Sequence, residues 1–159
     1  MKALRRSLDL ILGRRPRSMQ VGAICRDSAS GHVLMVTSRD SGRWVIPKGW
    51  PMEGRTLHGA AAQEAWEEAG VEGTVSPVEL GRFSYDKGQA EGFSIPVEVR
   101  VFLLEVDRLA NRYPEKTQRT RRWFTPADAA QSVAEPGLQA ILKRLSDHKA
   151  PTPDARKVA

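Results

Sequence analysis

The sequence is poor in several residue types on which specialised proteins depend. A single cysteine, Cys25, excludes an internal disulfide framework and a cysteine-rich metal site, and it suits a reducing compartment such as the cytoplasm. The three histidines are too scattered to predict a zinc site, and aromatic residues, at 6%, leave few rings for stacking nucleic-acid bases. No apolar run approaches the roughly 18–20 residues of a membrane span. We therefore expect no membrane partner, and we find no firm signal for a nucleic-acid partner.

The residues that are present describe an ordinary globular protein with a basic arm. Hydrophobic residues make up 40% and charged residues 28% of the 159 residues, which is enough for one domain with its own core. The formal net charge is +6; residues 1–17 carry six basic side chains against Asp9 (+5), which leaves +1 for the rest. We expect a basic N-terminal arm or short helix over residues 1–18, one folded domain over 19–147 and a polar C-terminal tail over 148–159.

Hydrophobic periodicity predicts strands and helices within one mixed domain. Strands are expected over 19–26, 33–38, 43–46, 78–85, 95–106 and 123–125, with a polar turn at 86–92. An alanine-rich helix is expected over 57–69, because Thr56 is a suitable N-cap and Gly70 stands where a C-terminal glycine cap belongs. A further helical stretch is predicted to begin at Pro126 and to be completed by residues 136–145. Mixed strands and helices indicate an α/β or α+β fold.

The predicted helix over 57–69 places three glutamates on one face. Glu64, Glu67 and Glu68 stand at i, i+3 and i+4, so their carboxylates project from the same side. Like charges at this spacing destabilise a helix by roughly 0.2–0.5 kcal/mol per pair. Mg²⁺ takes hard oxygen ligands, keeps several waters and shares its coordination shell with substrate phosphates. The cluster therefore suits a divalent cation, although a run of charges most often only lines a solvated surface.

The loop before this helix favours ligand binding over the solvated surface. Pro47, Gly49, Pro51 and Gly54 shape an irregular turn, where backbone groups can approach a ligand closely. The stretch from Gly49 to Val71 resembles the Nudix box, G-x5-E-x7-R-E-U-x-E-E-x-G-U, where U is a bulky aliphatic residue. Six of its nine fixed positions match, namely Gly49, Glu64, Glu67, Glu68, Gly70 and Val71.

The resemblance extends over most of the chain, from about residue 19 to residue 145, with three departures inside the box. Arg55 replaces the first glutamate, Gln63 replaces the arginine and Ala65 replaces the bulky aliphatic residue. In the family that glutamate and that arginine commonly form an ion pair, so replacing both of them leaves no buried charge without a partner. The flanking segments 33–49 and 119–124 are similar to the diphosphoinositol polyphosphate phosphohydrolase branch.

The resemblance implies a fold, a reaction and a cofactor. The fold is an α/β/α sandwich around a mixed β-sheet, with the box as a loop, a helix and a loop. The reaction is hydrolysis of a pyrophosphate linkage, with Mg²⁺, or alternatively Mn²⁺, to neutralise charge on the phosphates. Glu67 and Glu68 would be metal ligands, and the Lys48 carbonyl is a further candidate ligand. Glu64 would be either another ligand or the residue that positions the attacking water.

The catalytic base of such enzymes can come from outside the box. Glu115, in the basic loop before Trp123, is our candidate, and a solvent-exposed loop glutamate is the alternative interpretation. Glu53 could also reach the site and ranks below Glu115.

Positive charge near the carboxylates is expected to select the substrate. Residues 112–122 carry a local charge of +4, and the planar fork of arginine suits phosphate. The candidates for substrate binding are Arg39, Arg43, Lys48, Arg55 and Arg119, although each can also be a solvated surface charge. Together they suit a small molecule with many phosphates, such as a diphosphoinositol polyphosphate or a diadenosine polyphosphate. Trp50 and Phe83 are the rings that could stack on a base.

Two other functions stay open on the sequence. One is a Nudix hydrolase that acts on another nucleoside diphosphate derivative. The other is a Nudix-like domain that binds a phosphorylated ligand without cutting it, which Arg55 and Gln63 favour. The intact glutamates favour the enzyme, because a pure binder gains little from clustered negative charge that faces phosphates. The sequence leaves the oligomeric state open.

Overall fold

The computed structural model describes residues 18–88 and 92–148. The predicted basic arm over residues 1–18 and the predicted C-terminal tail over residues 148–159 lie outside the described residues, apart from Ser18 and His148. Along the chain the elements are β1 (Ser18–Arg26), β2 (Val33–Thr37), β3 (Trp44–Val45), β4 (Lys48–Gly49), α1 (Leu57–Ala69), β5 (Val71–Gly88), β6 (Ser94–Leu109), β7 (Arg121–Phe124), α2 (Pro126–Ser132) and α3 (Pro136–Asp147). Among the helices of the described residues, none has the length and apolarity to cross a bilayer.

These strands form one mixed sheet. Five of them lie in the order β3–β2–β1–β6–β5, while β4 pairs with β1 and β7 pairs with β2. β1 and β6 run parallel, and the other pairings are antiparallel. β2 pairs with β1 at Cys25, whereas β4 pairs with it at Val21 and Gly22. This shared edge holds Lys48 and Gly49 against the centre of the sheet.

The sheet carries a buried hydrophobic layer on each face. Adjacent β1 residues Ala23 and Ile24 belong to different layers, as the alternation of a strand requires. Helix α1 contributes its buried alanines Ala60, Ala61, Ala65 and Ala69 to one layer. Helices α2 and α3 contribute to the other layer the buried residues Ala129, Ala130, Leu138, Ile141 and Leu142. Helices on both faces give the three-layer arrangement that the sequence predicts.

The elements differ from the sequence predictions where the hydrophobic pattern is interrupted. β5 begins at Val71 rather than at residue 78, because register shifts between Glu72 and Gly73 and further along break its alternation. It also extends to Gly88, into the predicted turn at 86–92. The helical stretch from Pro126 is two helices, because a proline disfavours helical geometry at the residue before it, and Glu135 is accordingly extended with ψ 118°.

Candidate active site

Helix α1 presents its glutamates because its two ends and one face are fixed. The Thr56 side chain accepts a hydrogen bond from the Gly59 N–H at 3.0 Å, which caps the first turn as predicted. Gly70 ends the helix in the left-handed conformation with φ 65°, again as predicted. Since the alanine face is buried against the sheet, the glutamate face is held toward β4 and the loop before β7.

A pocket of about 260 Å³ lies at this face; we call it the carboxylate pocket. Its charged lining consists of the carboxylates of Asp40, Glu64, Glu68 and Glu115 and the cations of Arg39, Lys48, Lys87 and Arg119. The pocket therefore brings together six of the residues that the sequence singles out: Glu64, Glu68, Glu115, Arg39, Lys48 and Arg119. They come from α1, β4 and two loops that are distant in the chain.

The Glu64 carboxylate lies directly against the backbone of β4. A Cβ atom at Gly49 would stand 2.2 Å from both Cδ and Oε1 of Glu64, so only a glycine leaves room for this carboxylate. Within the described residues the Glu64 carboxylate makes no hydrogen bond and no ion pair. Its half-buried negative charge is thus left without a direct partner.

The Glu68 carboxylate is buried and is held from two sides. The Lys48 backbone N–H donates to its Oε2 at 3.3 Å, and Nη2 of Arg119 donates to its Oε1 at 3.2 Å. Because β4 is paired with β1, the Lys48 amide is fixed by the sheet. The position of Glu68 therefore follows from the fold and from one buried arginine.

Arg119 joins Glu68 to Glu115. Its guanidinium, 9% exposed, donates to both carboxylates at 3.2 Å and to the Thr37 carbonyl oxygen at 3.1 Å. Glu115 is in turn 3.4 Å from Nη1 of Arg39, and its backbone N–H donates to the Glu67 carbonyl oxygen at 2.9 Å. Glu115 is thus part of the pocket wall rather than a freely exposed loop residue, although its role as a base stays a prediction.

The two glutamates of α1 that line this pocket have raised pKa values. Burial raises the pKa of Glu64 to about 7, and the charges of Glu67 and Glu115 act in the same direction against Arg119 and Lys48. Burial likewise raises the pKa of Glu68 to about 7, although Arg119 opposes the rise. A cation bound between Glu64 and Glu68 would stabilise the ionised form of both carboxylates.

The raised pKa of Glu64 predicts how the stability of the metal-free protein changes with pH. An unfolded glutamate ionises near 4.5, so the free energy of unfolding falls as the pH rises from about 4.5 through 7. Glu64→Gln removes this loss and should make the protein more stable at pH 8 by on the order of 1 kcal/mol, a value reduced by solvent screening. Near pH 4.5 the variant and the wild type should be alike.

Urea unfolding in EDTA at both pH values measures this effect. Glu53→Gln, which changes an exposed loop glutamate, is the control and should show no such gain. A Glu64→Gln variant whose stability relative to wild type is the same at pH 4.5 and pH 8 would contradict the assignment of a strained carboxylate to Glu64.

Several predicted site residues lie outside the lining of this pocket. Glu67 is next to Glu64 on α1, and its carboxylate accepts a hydrogen bond from Nε2 of Gln63 at 3.1 Å. Arg43 borders a neighbouring pocket, and Arg55 is exposed on the loop before α1. The roles of Glu67, Arg43 and Arg55 stay predictions.

The structure places one of the two aromatic candidates in the core and adds one lysine to the pocket that the sequence did not single out. Phe83 is 3% exposed in the core, so the prediction that it could stack on a base is wrong, whereas Trp50 lines the pocket and is 43% exposed. Lys87 lines the pocket although its segment reads as a polar turn. No local signal marks Lys87, because its position depends on the full length of β5.

The donor set of the pocket fits Mg²⁺. Mg²⁺ is usually held by one or two carboxylates together with waters and substrate phosphates, rather than by a cage of protein ligands. Glu64 and Glu68 supply two such carboxylates on one wall. Within residues 18–88 and 92–148, no three acidic, histidine or cysteine side chains converge to form a complete site. The protein therefore presents the partial shell that a cation shared with a substrate requires.

Comparison with known proteins finds one domain family. A family model described as the NUDIX domain matches residues 16–145. Nudix hydrolase 16, mitochondrial, of Arabidopsis thaliana is 33% identical over 113 residues, which cover 69% of this chain and 62% of that protein. Diphosphoinositol polyphosphate phosphohydrolase 3-alpha of Mus musculus is 31% identical over 145 residues, which cover 86% of this chain and 84% of that protein. The chain spans about three fifths of the length of three Arabidopsis thaliana relatives that it matches.

Solved structures have the same fold. The Ap4A hydrolase of C. elegans superposes with a TM-score of 0.58 at 19% identity, covering 85% of this chain and all of that one. The dihydroneopterin triphosphate pyrophosphohydrolase of E. coli superposes with a TM-score of 0.63 at 17% identity, covering 82% and 95%. These similarities confirm the predicted α/β/α sandwich around a mixed sheet, and at such identities they concern the fold alone.

Proposed function

Because this chain belongs to the NUDIX domain family, we propose that it hydrolyses a pyrophosphate linkage in a highly phosphorylated small molecule with the help of a divalent cation. The family assignment confirms the resemblance seen in the glutamate motif. Mg²⁺ is the proposed cation, with Mn²⁺ as an alternative, because the proposed ligands are carboxylate oxygens.

One observation carries this proposal. Glu64 places a half-buried carboxylate without a direct partner beside Glu68, in a pocket that is also lined by Arg39, Lys48 and Lys87. Carboxylates that need a cation and basic side chains that suit phosphate thus share one small cavity. That combination supports binding of a phosphate–metal complex better than binding of either component alone.

Each group has a proposed part in the reaction. When bound, the cation would neutralise charge on the bridging and leaving phosphate oxygens, which is the main requirement of phosphoryl transfer. Glu68 would hold it, Glu67 would add a ligand, and Glu64 would either ligate it or orient the attacking water. Lys48 and Arg39 would bind the phosphates, and Glu115 is the candidate base.

The proposed substrates follow from the basic side chains of the pocket, from the proposed cation and from the names of similar proteins. The mouse relative is named for diphosphoinositol polyphosphates, and the nematode structure is that of an Ap4A hydrolase. Both names describe molecules in which phosphates are joined to one another. We therefore propose either a diphosphoinositol polyphosphate or a diadenosine polyphosphate as the substrate.

A substrate panel tests this function. We would incubate the protein and Mg²⁺ with diphosphoinositol pentakisphosphate, diadenosine penta- and hexaphosphate, an 8-oxo nucleoside triphosphate and ADP-ribose, with and without EDTA. The expected result is hydrolysis of at least one of the first three that EDTA abolishes. No turnover of any compound, together with thermal stabilisation by one of them, would contradict the enzyme and support the binding domain.

A further inference from the structure

We propose that a second pocket, beside the carboxylate pocket, binds a nucleoside portion of the substrate and that Glu135 accepts hydrogen bonds from it. We call it the nucleoside pocket. This inference rests on the proposed function, since it concerns the part of the substrate that the pyrophosphate joins.

The position of the nucleoside pocket suits the far end of a bound pyrophosphate. Its volume is about 200 Å³, and it shares five lining residues with the carboxylate pocket, namely Ser38, Asp40, Val45, Lys48 and Lys87. A molecule with its phosphates at these lysines can therefore extend from one pocket into the other. Tyr85 on β5 and Glu135, immediately before α3, form other parts of its wall.

The charges of the nucleoside pocket do not suit a group covered with phosphates. Its charged lining comprises the cations of Arg43, Lys48 and Lys87 and the carboxylates of Asp40, Asp86 and Glu135. Three carboxylates against three cations leave no excess of positive charge, and no metal ion is proposed here to add one. In the carboxylate pocket the carboxylates and the cations are also equal in number, but there the proposed divalent cation supplies the positive charge that phosphates need. A neutral group with polar edges is better matched to this lining than a polyanion.

Glu135 supplies the specific polar contact. Its Oε2 atom is buried and accepts no hydrogen bond within the described residues, and its side chain does not cap α3. The Tyr85 hydroxyl is already committed, because it donates to Oε1 of Gln20 at 2.7 Å. A buried acceptor without a donor destabilises the protein, so a donor on the ligand would stabilise the complex.

The missing partner must donate a hydrogen bond, and this requirement separates the two proposed substrates. Ribose hydroxyls and base amino groups are donors, whereas ionised phosphate oxygens accept. In a diphosphoinositol pentakisphosphate every ring hydroxyl is esterified, so the ring offers no O–H group to Glu135. The nucleoside pocket therefore favours a diadenosine polyphosphate, or another nucleoside polyphosphate, over the inositol compound.

Two ligands, one with a nucleoside portion and one without it, test this inference. ADP carries a diphosphate and a nucleoside, whereas methylenediphosphonate mimics the diphosphate alone; binding of each with Mg²⁺ is measured by calorimetry. The wild type should bind ADP more tightly than methylenediphosphonate. Glu135→Ala should weaken ADP binding by about tenfold or more, because it removes a charge-assisted hydrogen bond, and should leave methylenediphosphonate binding unchanged.

Controls separate this role from a structural one. Asp147→Ala removes an exposed acid from the other end of α3 and should change neither affinity. The melting temperature of Glu135→Ala should equal or exceed that of wild type, because an unpaired buried acceptor is removed, and Glu135→Gln should retain part of the ADP affinity.

The inference is overturned if Glu135→Ala binds ADP as wild type does, or if it loses both ligands equally. Wild type that binds ADP no more tightly than methylenediphosphonate would also overturn it. Failure of the proposed function is a separate result, since that requires the absence of metal-dependent hydrolysis across the substrate panel.

Discussion

Glu68→Gln is expected to lower metal-dependent turnover by at least about 100-fold, because the cation in such reactions contributes several kcal/mol and each 1.36 kcal/mol is a factor of ten. Glutamine has nearly the shape of glutamate, so the hydrogen bond from the Lys48 N–H can persist at 3.3 Å. The charge that would hold the cation is lost. Turnover is measured at saturating Mg²⁺ with the best substrate of the panel, and the fold is checked by circular dichroism.

Glu72→Gln is the matched control for this variant. Glu72 lies at the start of β5, four residues further along the chain, and pairs with Arg108 on the protein surface. The same chemical change there should leave turnover within about twofold of wild type, because exposed ion pairs contribute little. A folded Glu68→Gln protein that keeps most of its activity would remove Glu68 from the proposed metal site.

Gly49→Ala is expected to lower turnover by roughly 100-fold through a displacement of Glu64, since misplacing a reacting group by about 1 Å can have an effect of this size. The added Cβ would stand 2.2 Å from the Glu64 carboxylate, which cannot keep its position. The clashing atoms are the end of a flexible side chain, so the stability should change little, by about 1 kcal/mol or less. Activity and urea unfolding are measured on the same preparation.

A double-mutant cycle decides whether Gly49 acts through Glu64. In a Glu64→Ala background the added methyl group has no carboxylate to displace, so Gly49→Ala should cost little further activity. If the double variant loses activity by the product of the two single losses, this account is contradicted. The requirement for glycine at position 49 would then have a cause other than Glu64. A loss of stability well above 1 kcal/mol for Gly49→Ala would likewise show that the substitution disturbs β4 itself.

The central helix and its glutamates could be predicted because every signal for them is local. Thr56 and Gly70 fix the two ends of α1, and both cap it as the sequence indicates. The spacing of Glu64 and Glu68 then places them on one face without any knowledge of the rest of the fold. The sequence predicts a close approach of backbone to ligand in the loop that contains Gly49, whereas the structure shows that the side chain nearest to Gly49 is that of Glu64.

The remaining parts of the site depend on contacts between distant segments. Arg119 reaches Glu68 from 51 residues away, and nothing near either residue encodes that bond. The basic loop suggests Arg119 as a phosphate ligand, but its described hydrogen bonds go to protein oxygens. The sequence does not mark Glu135 either. Its position in the nucleoside pocket follows from the end of helical structure before Pro136 and from the packing of α3.

Binding of Mn²⁺ tests most directly the claim that the catalytic cation binds in the carboxylate pocket at Glu68. Free Mn²⁺ is followed by electron paramagnetic resonance while it is titrated with wild type, Glu64→Gln, Glu68→Gln and the control Glu72→Gln, and Mg²⁺ is then added as a competitor. Wild type and Glu72→Gln should bind Mn²⁺ alike and release it to Mg²⁺, while Glu68→Gln should bind at least about tenfold more weakly. Glu64→Gln should be weakened likewise where Glu64 is a ligand, and should bind as wild type does where Glu64 only orients the attacking water. Equal Mn²⁺ affinity in all four proteins would contradict the account, because the cation would then bind somewhere other than the carboxylate pocket.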